Sequence, residues 1–460
     1  MGVAGLLKAL SDVQQQVHIS EYRGLRVGVD AYCLLHRGKL GYADALLRAS
    51  PSCRSLESLG AAAGGAAQEA LLRPILDLVT ALRAVGAEPT LVFDGGPLPA
   101  KDATERSRRQ ARDAAMWRAA VSANSAPSAK LLGGAVDITP DMAAKCVQRI
   151  RSTGVSCIVA PCEADAQLAF LALNARVDVC ISEDVDLLAF GCQRVLYGLD
   201  LRSGCGQELR RAELRRSRGL APYRLDPETL ADLCVLGGCD YLPSLPRLGL
   251  RTAAQLLHRG KGSVSRALQL ARREGITVPS EYGRRFAEAR LVFSCQAVFN
   301  DETRELQPLR PLPVSADAHC RKLLGLNLSH SAALEISEAR LNPFTLQPFA
   351  TVEALCAVPD TKENGSEETS QSSLAMQAFR RPRSASDGVA PAEMPEVKAE
   401  GRDNDLCQPI HSARVAASDR PGKALGRVLD VDLLLADATS PPPPKRRRLG
   451  CRPGPRDGGA

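Results

Sequence analysis

Seven carboxylates stand where apolar stretches of this chain end. Asp30 follows LRVGV, Asp94 follows TLVF, Glu163 and Asp165 follow CIVAPC, Asp184 and Asp186 follow VCISE, and Asp240 follows LADLCVLGGC. A single acid in such a place has an ordinary explanation as the cap of the next helix. Seven gathered in one low-dielectric crevice would repel one another and raise their pKa values unless cations neutralised them. An oxygen-only donor set suits Mg2+, which takes few direct carboxylates and keeps several waters, with Mn2+ as its substitute. Seven acids therefore point to two ions, with part of the set in an outer shell. Two such ions roughly 3.5 to 4 Å apart would activate a water and stabilise the leaving oxygen of a phosphodiester.

The elements that must position these acids are legible as apolar runs at 25–30, 88–94, 155–160, 177–182 and 194–200, separated by amphipathic stretches such as 71–86 and 142–154. Strands alternating with helices predict an α/β fold, a mostly parallel twisted sheet flanked by helices. Ligands bind outside the carboxyl ends of such strands, so the acids should converge on one crevice. Asp184 and Asp186, two residues apart, should share one side of an extended segment. Residues 225–300 read as mostly helical, a second and smaller part. Residues 50–68 (SPSCRSLESLGAAAGGAAQ) have the small-residue composition of a flexible surface insertion. Residues 101–118 carry six basic and three acidic side chains at helical spacing after the turn GGPLP. That helix reads equally as a solvated charged face or as a surface for a polyanion.

Of 460 residues, 59 are Lys or Arg and 52 Asp or Glu, and residues 351–460 hold 16 of each, so the whole excess of positive charge lies in the first 350. That sign suits a nucleic-acid partner without requiring one. Hydrophobic residues at 45% exclude wholesale disorder. Fifteen scattered cysteines without a CxxC pair argue against a disulfide framework or a zinc ribbon, and for a reducing compartment. Lys8 and Asp12 interrupt any secretory apolar region and no run of eighteen apolar residues exists, so the expectation is a soluble intracellular chain with no membrane partner. From about residue 346 to 460 the composition reads as a disordered tail. Within it Lys445, Arg446, Arg447 and Arg448 read as a nuclear import signal or as a solvated basic cluster.

The blocks MGVAGLL, VDAYCLLHRG, LVFDGGPLPAKDATERSRR, VAPCEADAQLAFL, ISEDVDLLAFGC and GGCDYLPSLPRLGL follow one another over roughly the first 300 residues. In that order they resemble the signature blocks of the flap endonuclease/XPG-type 5′ nucleases. YCLLHRG, EADAQLA and DLLAFGC are more similar to the family's exonucleases than to its flap endonucleases. The resemblance implies a metal-dependent 5′→3′ exonuclease on double-stranded DNA with nicks, gaps, ends or 5′ flaps, carrying 5′-flap endonuclease activity. It further implies a nuclear protein acting in mismatch repair and recombination, with mismatch-repair proteins reached through the tail. The implied organisation is an N-terminal nuclease region (1–100), a helical arch (101–137), an internal nuclease region (138–225), a helix-two-turn-helix with a C-terminal wrap (226–345) and the tail (346–460).

Carried over residue by residue, the metal ligands are Asp30, Asp94, Glu163, Asp165, Asp184, Asp186 and Asp240. Lys101 and Arg108 match the basic pair that would stabilise charge on the scissile phosphate. Gly2 would let the start of the chain approach the site, and Tyr32 and His36 match positions that stack on or wedge into DNA. Ser244, Leu248 and Gly249 match the helix-two-turn-helix that grips duplex through backbone amides and a bound K+. Two positions there depart from the family: Arg247 stands for its usual Gly, and Gly237 for its usual Ser. With a negative φ, Arg247 would run its side chain along the phosphate backbone, so it joins the expected DNA-binding set; if instead the turn is distorted, duplex affinity is weak and the K+ dependence is lost.

Overall fold

The computed structural model describes residues 2–49, 56–121, 133–134 and 136–349. Seven strands form one sheet: β1 (Gln15–His18), β2 (Arg26–Asp30), β3 (Glu88–Phe93), β4 (Ser156–Val159), β5 (Val179–Ile181), β6 (Arg194–Asp200) and β7 (Cys205–Arg210), in the order β1-β7-β6-β5-β2-β3-β4. From β6 to β4 across the sheet every pairing is parallel, and all five apolar runs of the sequence are among these strands. Strands buried on both faces need no alternation of polarity, which is why they read as continuous apolar runs. The two strands the apolar pattern does not show, β1 and β7, pair antiparallel at the far edge. QQVH and CGQELR carry too few apolar residues to stand out.

Helices cover both faces. The segment before β1 supplies α1 (Leu6–Ala9), and those between the strands supply α2 (Ala31–Ala49), α3 (Leu56–Ala84), α4 (Asp102–Val121), α5 (Pro140–Arg151), α6 (Ala164–Leu173) and α7 (Leu187–Phe190). Val29, Leu91 and Phe93 of the sheet pack with Leu72, Ile75 and Val147 on one face. On the other, Val92, Cys180 and Val195 pack with Leu168 and Phe190. The later chain adds α8 (Leu230–Gly237), α9 (Leu250–Arg259), α10 (Val264–Arg273) and α11 (Tyr282–Cys295), then the antiparallel pair β8 (Ala297–Asn300) and β9 (Glu305–Pro308), then α12 (Ala318–Leu323) and α13 (His330–Ser337). Leu233 of α8 and Phe286 of α11 belong to the same core cluster as Leu168, so the helical part extends the sheet's core continuously.

Two sequence expectations are corrected. Residues 56–68 form the first turns of α3, because their Ala-rich composition has high helix propensity and propagates the apolar periodicity that follows; residues 50–55 of the expected insertion lie outside the described residues. The fold also extends past residue 345. Leu341 pairs with Pro348, and the Phe349 N–H donates to the Arg340 carbonyl at 3.0 Å. Among the described residues no helix is long and apolar enough to cross a membrane.

Candidate active site

Because β2, β3, β4 and β5 are parallel, the residues that follow them lie at one end of the sheet. Asp30 is the last residue of β2, and its Oδ1 accepts the N–H groups of Tyr32 at 3.0 Å and Cys33 at 3.3 Å. It thus caps α2 with one oxygen, while the other accepts the Ser182 hydroxyl at 2.9 Å and the Cys33 thiol at 2.8 Å. Asp94 directly follows β3, and its Oδ1 accepts the Ala164 N–H at 2.7 Å, at the start of α6. The glycines after it let this turn lie flat on the end of β4. A Cβ on Gly95 would stand 1.8 Å from the Ala160 carbonyl oxygen. Glu163 occupies the cap position of α6 without capping it, and Asp165 lies in its first turn.

Asp184 and Asp186 come together by a different route from the one their spacing predicts. The chain leaves β5 at Ile181 and turns, the Asp184 Oδ1 accepting the Asp186 N–H at 2.9 Å, so the two acids converge through a hydrogen-bonded turn and not an extended segment. Both Asp186 oxygens then lie 3.0 Å from the Val3 N–H. Gly2, at φ +88°, sits against this pair. A Cβ there would fall 2.4 Å from Asp184 Oδ1 and 3.0 Å from Asp186 Oδ1, so no side chain fits. Asp240 arrives from the connection between α8 and α9, its Oδ2 2.7 Å from Arg108 Nη2 and 3.3 Å from Lys101 Nζ.

The charges within this crevice do not balance. Lys101 also pairs with Glu163, whose other oxygen accepts the Tyr241 hydroxyl at 2.7 Å. Burial would lower the Lys101 pKa, but Glu163 and Asp240 outweigh it and keep the ammonium charged. Among the described residues, Asp30, Asp94, Asp165, Asp184 and Asp186 have no Lys or Arg in ion-pair contact. Burial, with Asp30 and Glu163 adding repulsion, pushes Asp94 up to about 7. Burial and the charges of Asp184 and Asp240 push Asp186 up to about 8. Asp165 and Asp184 are raised as well, first by burial.

Buried acids without a cationic side-chain partner, presenting oxygen only, are the donor chemistry of a hard divalent cation. Among the described residues no three of them close into a tight single-ion cage. The set therefore fits hydrated ions that take few direct carboxylates each.

The expected DNA-contacting residues are more dispersed. Half-buried Tyr32 lines a cleft with Asp94 and Phe344, and the exposed His36 lies one turn along α2, its ring centroid 6.4 Å from that of Tyr32. Ser244 is exposed, and Gly249 is an open, extended residue at the start of α9. Leu248 does not fit a phosphate contact. Its side chain is buried, and its N–H donates to the Leu245 carbonyl at 2.9 Å.

Arg247 overturns the expectation of a negative φ: it sits at φ +69°, a conformation that favours Gly, and its guanidinium donates to the Gly275 carbonyl beyond α10. That tether turns the side chain to the protein and away from a course along phosphates. Gly237 has a packing reason, since a Cβ there would lie 2.9 Å from Leu250 Cδ1 where α8 meets α9. Lys445 to Arg448 lie outside the described residues, as do 122–132 of the expected arch. Residues that sequence reasoning missed include Tyr241 and Ser182, both beside the acids, and Thr104, whose hydroxyl donates to the Asp240 carbonyl at 2.7 Å.

Comparison with known proteins places this architecture among relatives. Residues 1–115 match the family model described as the XPG N-terminal domain, and residues 154–240 that described as the XPG I-region; the seven acids, Lys101 and Arg108 all fall within these two stretches. The chain is 34% identical over 352 residues to Exonuclease 1 of Oryza sativa subsp. japonica, a match covering 76% of this chain and 40% of the relative. It is 33% identical over 352 residues to Exonuclease 1 of Arabidopsis thaliana, covering 76% and 45%. To Exodeoxyribonuclease 1 of Schizosaccharomyces pombe it is 32% identical over 357 residues, covering 76% and 58%. The chain thus spans less than half the length of the two plant relatives.

Proposed function

The chain belongs to the XPG-type 5′ nuclease family, and from that premise we propose that it is a metal-dependent 5′→3′ exonuclease of exonuclease 1 type. Its substrate would be double-stranded DNA with nicks, gaps or ends, and it would also cleave 5′ flaps. The observation that carries this reading is the crevice of buried acids, five of them without a Lys or Arg in ion-pair contact among the described residues, at the carboxyl ends of four parallel strands, bordered by Lys101 and Arg108. Asp30, Asp94, Glu163, Asp165, Asp184, Asp186 and Asp240 would hold two Mg2+ directly or through waters. Such ions, when bound, supply a water of lowered pKa and a Lewis acid for the leaving oxygen.

The chain's own residues do the rest. Glu163 and Asp240 orient the two basic side chains at the rim, where their charge meets that developing on the scissile phosphate. The cleft beside Asp94 offers the Tyr32 ring to a base next to that phosphate. A K+ at the helix-two-turn-helix, nuclear import through Lys445 to Arg448, and work in mismatch repair and recombination with partners held by the tail complete the proposal. The names of the relatives support the exonuclease part.

Digestion of 5′-labelled nicked duplex and of 5′-flapped duplex, with and without Mg2+, tests it. We expect Mg2+-dependent release of short 5′ products from both, lost in Asp184→Ala while duplex binding persists, because phosphate contacts that set affinity lie elsewhere. Cleavage of the flap alone would instead make the chain a flap-specific endonuclease. Tight binding without cleavage would make it a DNA-binding scaffold, and wild-type-like cleavage by Asp184→Ala in Mg2+ would remove the two-ion assignment.

A further inference from the structure

We propose that Ser182 is a positioning residue that sets the spacing between Asp30 and the Asp184/Asp186 turn, and so decides how tightly the crevice holds divalent ions. The inference rests on the reading of these acids as a metal site. Its basis is the register of the sheet. β2 and β5 pair in parallel with Val29 opposite Ile181, the last matched residues. One step further the chain places Asp30 beside Ser182, on strands about 4.8 Å apart. There the ladder has ended, and the two strands are joined by side chains alone.

The Ser182 hydroxyl is 2.9 Å from Asp30 Oδ2, and its oxygen is 3.0 Å from the Asp184 backbone nitrogen. The direction of these bonds is forced. A backbone N–H can only donate, so the hydroxyl oxygen accepts from Asp184 and its single proton goes to the Asp30 carboxylate. Asp184 in turn accepts the Asp186 N–H, and Asp186 accepts the Val3 N–H. Ser182 is therefore the first link of a hydrogen-bonded line through three of the seven acids. It is 2% exposed, so water has little access to replace it.

Its neighbours do not duplicate it. The Cys33 thiol also reaches Asp30 Oδ2, at 2.8 Å, but it is a weaker donor and touches only that acid. Glu183 points the other way, pairing with Arg37 and accepting the Gly198 N–H at 3.3 Å. The turn is thus pinned from the solvent side by Glu183 and from the crevice side by Ser182.

The test compares Ser182→Ala, Ser182→Val and Ser182→Thr in the full chain. Thr keeps the hydroxyl, and Val matches Thr in shape without it, so the pair separates hydrogen bonding from packing. Binding of Mn2+ is read directly by electron paramagnetic resonance without DNA, and cleavage of nicked duplex is titrated with Mn2+. Loss of an outer-shell partner lowers metal affinity by about 10- to 100-fold. We expect that loss in Ala and Val, wild-type affinity in Thr, and recovery of the Ala and Val cleavage rates at high Mn2+. Equal Mn2+ affinity in wild type and Val would overturn the role of Ser182. So would a Thr variant as weak as Val. A wild-type chain that binds no Mn2+ would overturn the metal-site reading instead, which keeps the two failures distinct.

Discussion

Lys101 contacts two acids, Glu163 and Asp240, that reach the crevice from opposite directions, one from the start of α6 and one from the α8–α9 connection. Its ammonium is held there at 17% exposure, already oriented, so it need not reorganise when charge develops on a phosphate. Replacing one preorganised donor of this kind removes about 10² to 10³ in rate. Lys101→Ala should show a loss of that order in single-turnover cleavage with nearly unchanged duplex affinity, read by rapid quench and by binding isotherms in Ca2+. An equal loss in rate and affinity would make Lys101 a simple phosphate anchor.

At this scale the acids were legible because each closes an apolar run, and a carboxylate at a strand end is visible without knowing its neighbours. Ser182 and Tyr241 were not, although Ser182 stands two residues before Asp184 and Tyr241 directly after Asp240. A serine or tyrosine matters there only through its partner, and partners follow from register between strands far apart in the chain.

The antiparallel edge of the sheet is the element that composition hid best. Glu208 on β7 is fully buried, and it accepts the Tyr22 hydroxyl at 2.6 Å, Arg194 Nη2 at 2.9 Å and Arg210 Nε at 2.5 Å. A charged residue reads as surface, so CGQELR offers no strand signal until Arg194 on β6 and Tyr22 are seen to enclose the acid. Burial alone would raise the Glu208 pKa. The hydrogen bonds from Arg194, Tyr22 and Arg210 outweigh it and hold the carboxyl below its usual value.

A depressed carboxylate contributes stability that is present above the unfolded pKa, about 4.3, and is lost as pH falls through the folded value. Glu208→Gln should therefore melt well below the wild type at pH 7, with the gap narrowing as pH drops below about 4.3. Thermal unfolding across that range checks it, and a gap that stays constant would deny the ion cluster its role.

The turn before α9 gives a second prediction at this scale. Since the Arg247 guanidinium is spent on Gly275, Arg247→Gly should leave the slope of log K against log[salt] for duplex binding unchanged. A slope shallower by about 0.9 would mean that the side chain leaves its tether and neutralises one phosphate.

At the scale of the whole molecule, the last element tied to the core among the described residues is the short pairing of 341 with 348. A Cβ on Gly96, next to the Asp94 turn, would lie 2.8 Å from the Pro343 carbonyl oxygen, so this segment backs the site directly. A chain ending at Phe349 should keep the melting temperature and cleavage rate of the full chain, while a fusion of it to a fluorescent protein should lose nuclear accumulation. One ending at Ala339 should melt earlier, because it removes contacts behind Asp94. Fold class was readable from the start because five consecutive strand runs alternate with helices. The described core runs a few residues past the expected boundary, since NPFTLQPF resembles a linker in composition and owes its order to what it lies against.

The acids of the crevice are scattered from Asp30 to Asp240, over 210 residues, and no two of the four strands that present six of them are joined by a short hairpin. Such non-local assembly is slow and completes late in folding. A nascent chain still emerging from the ribosome thus carries the acids but not the crevice until the stretch bearing Asp240 has docked. Sheet topology in this way ties the convergence of the acids to the closure of the core, so the site exists only in the folded chain.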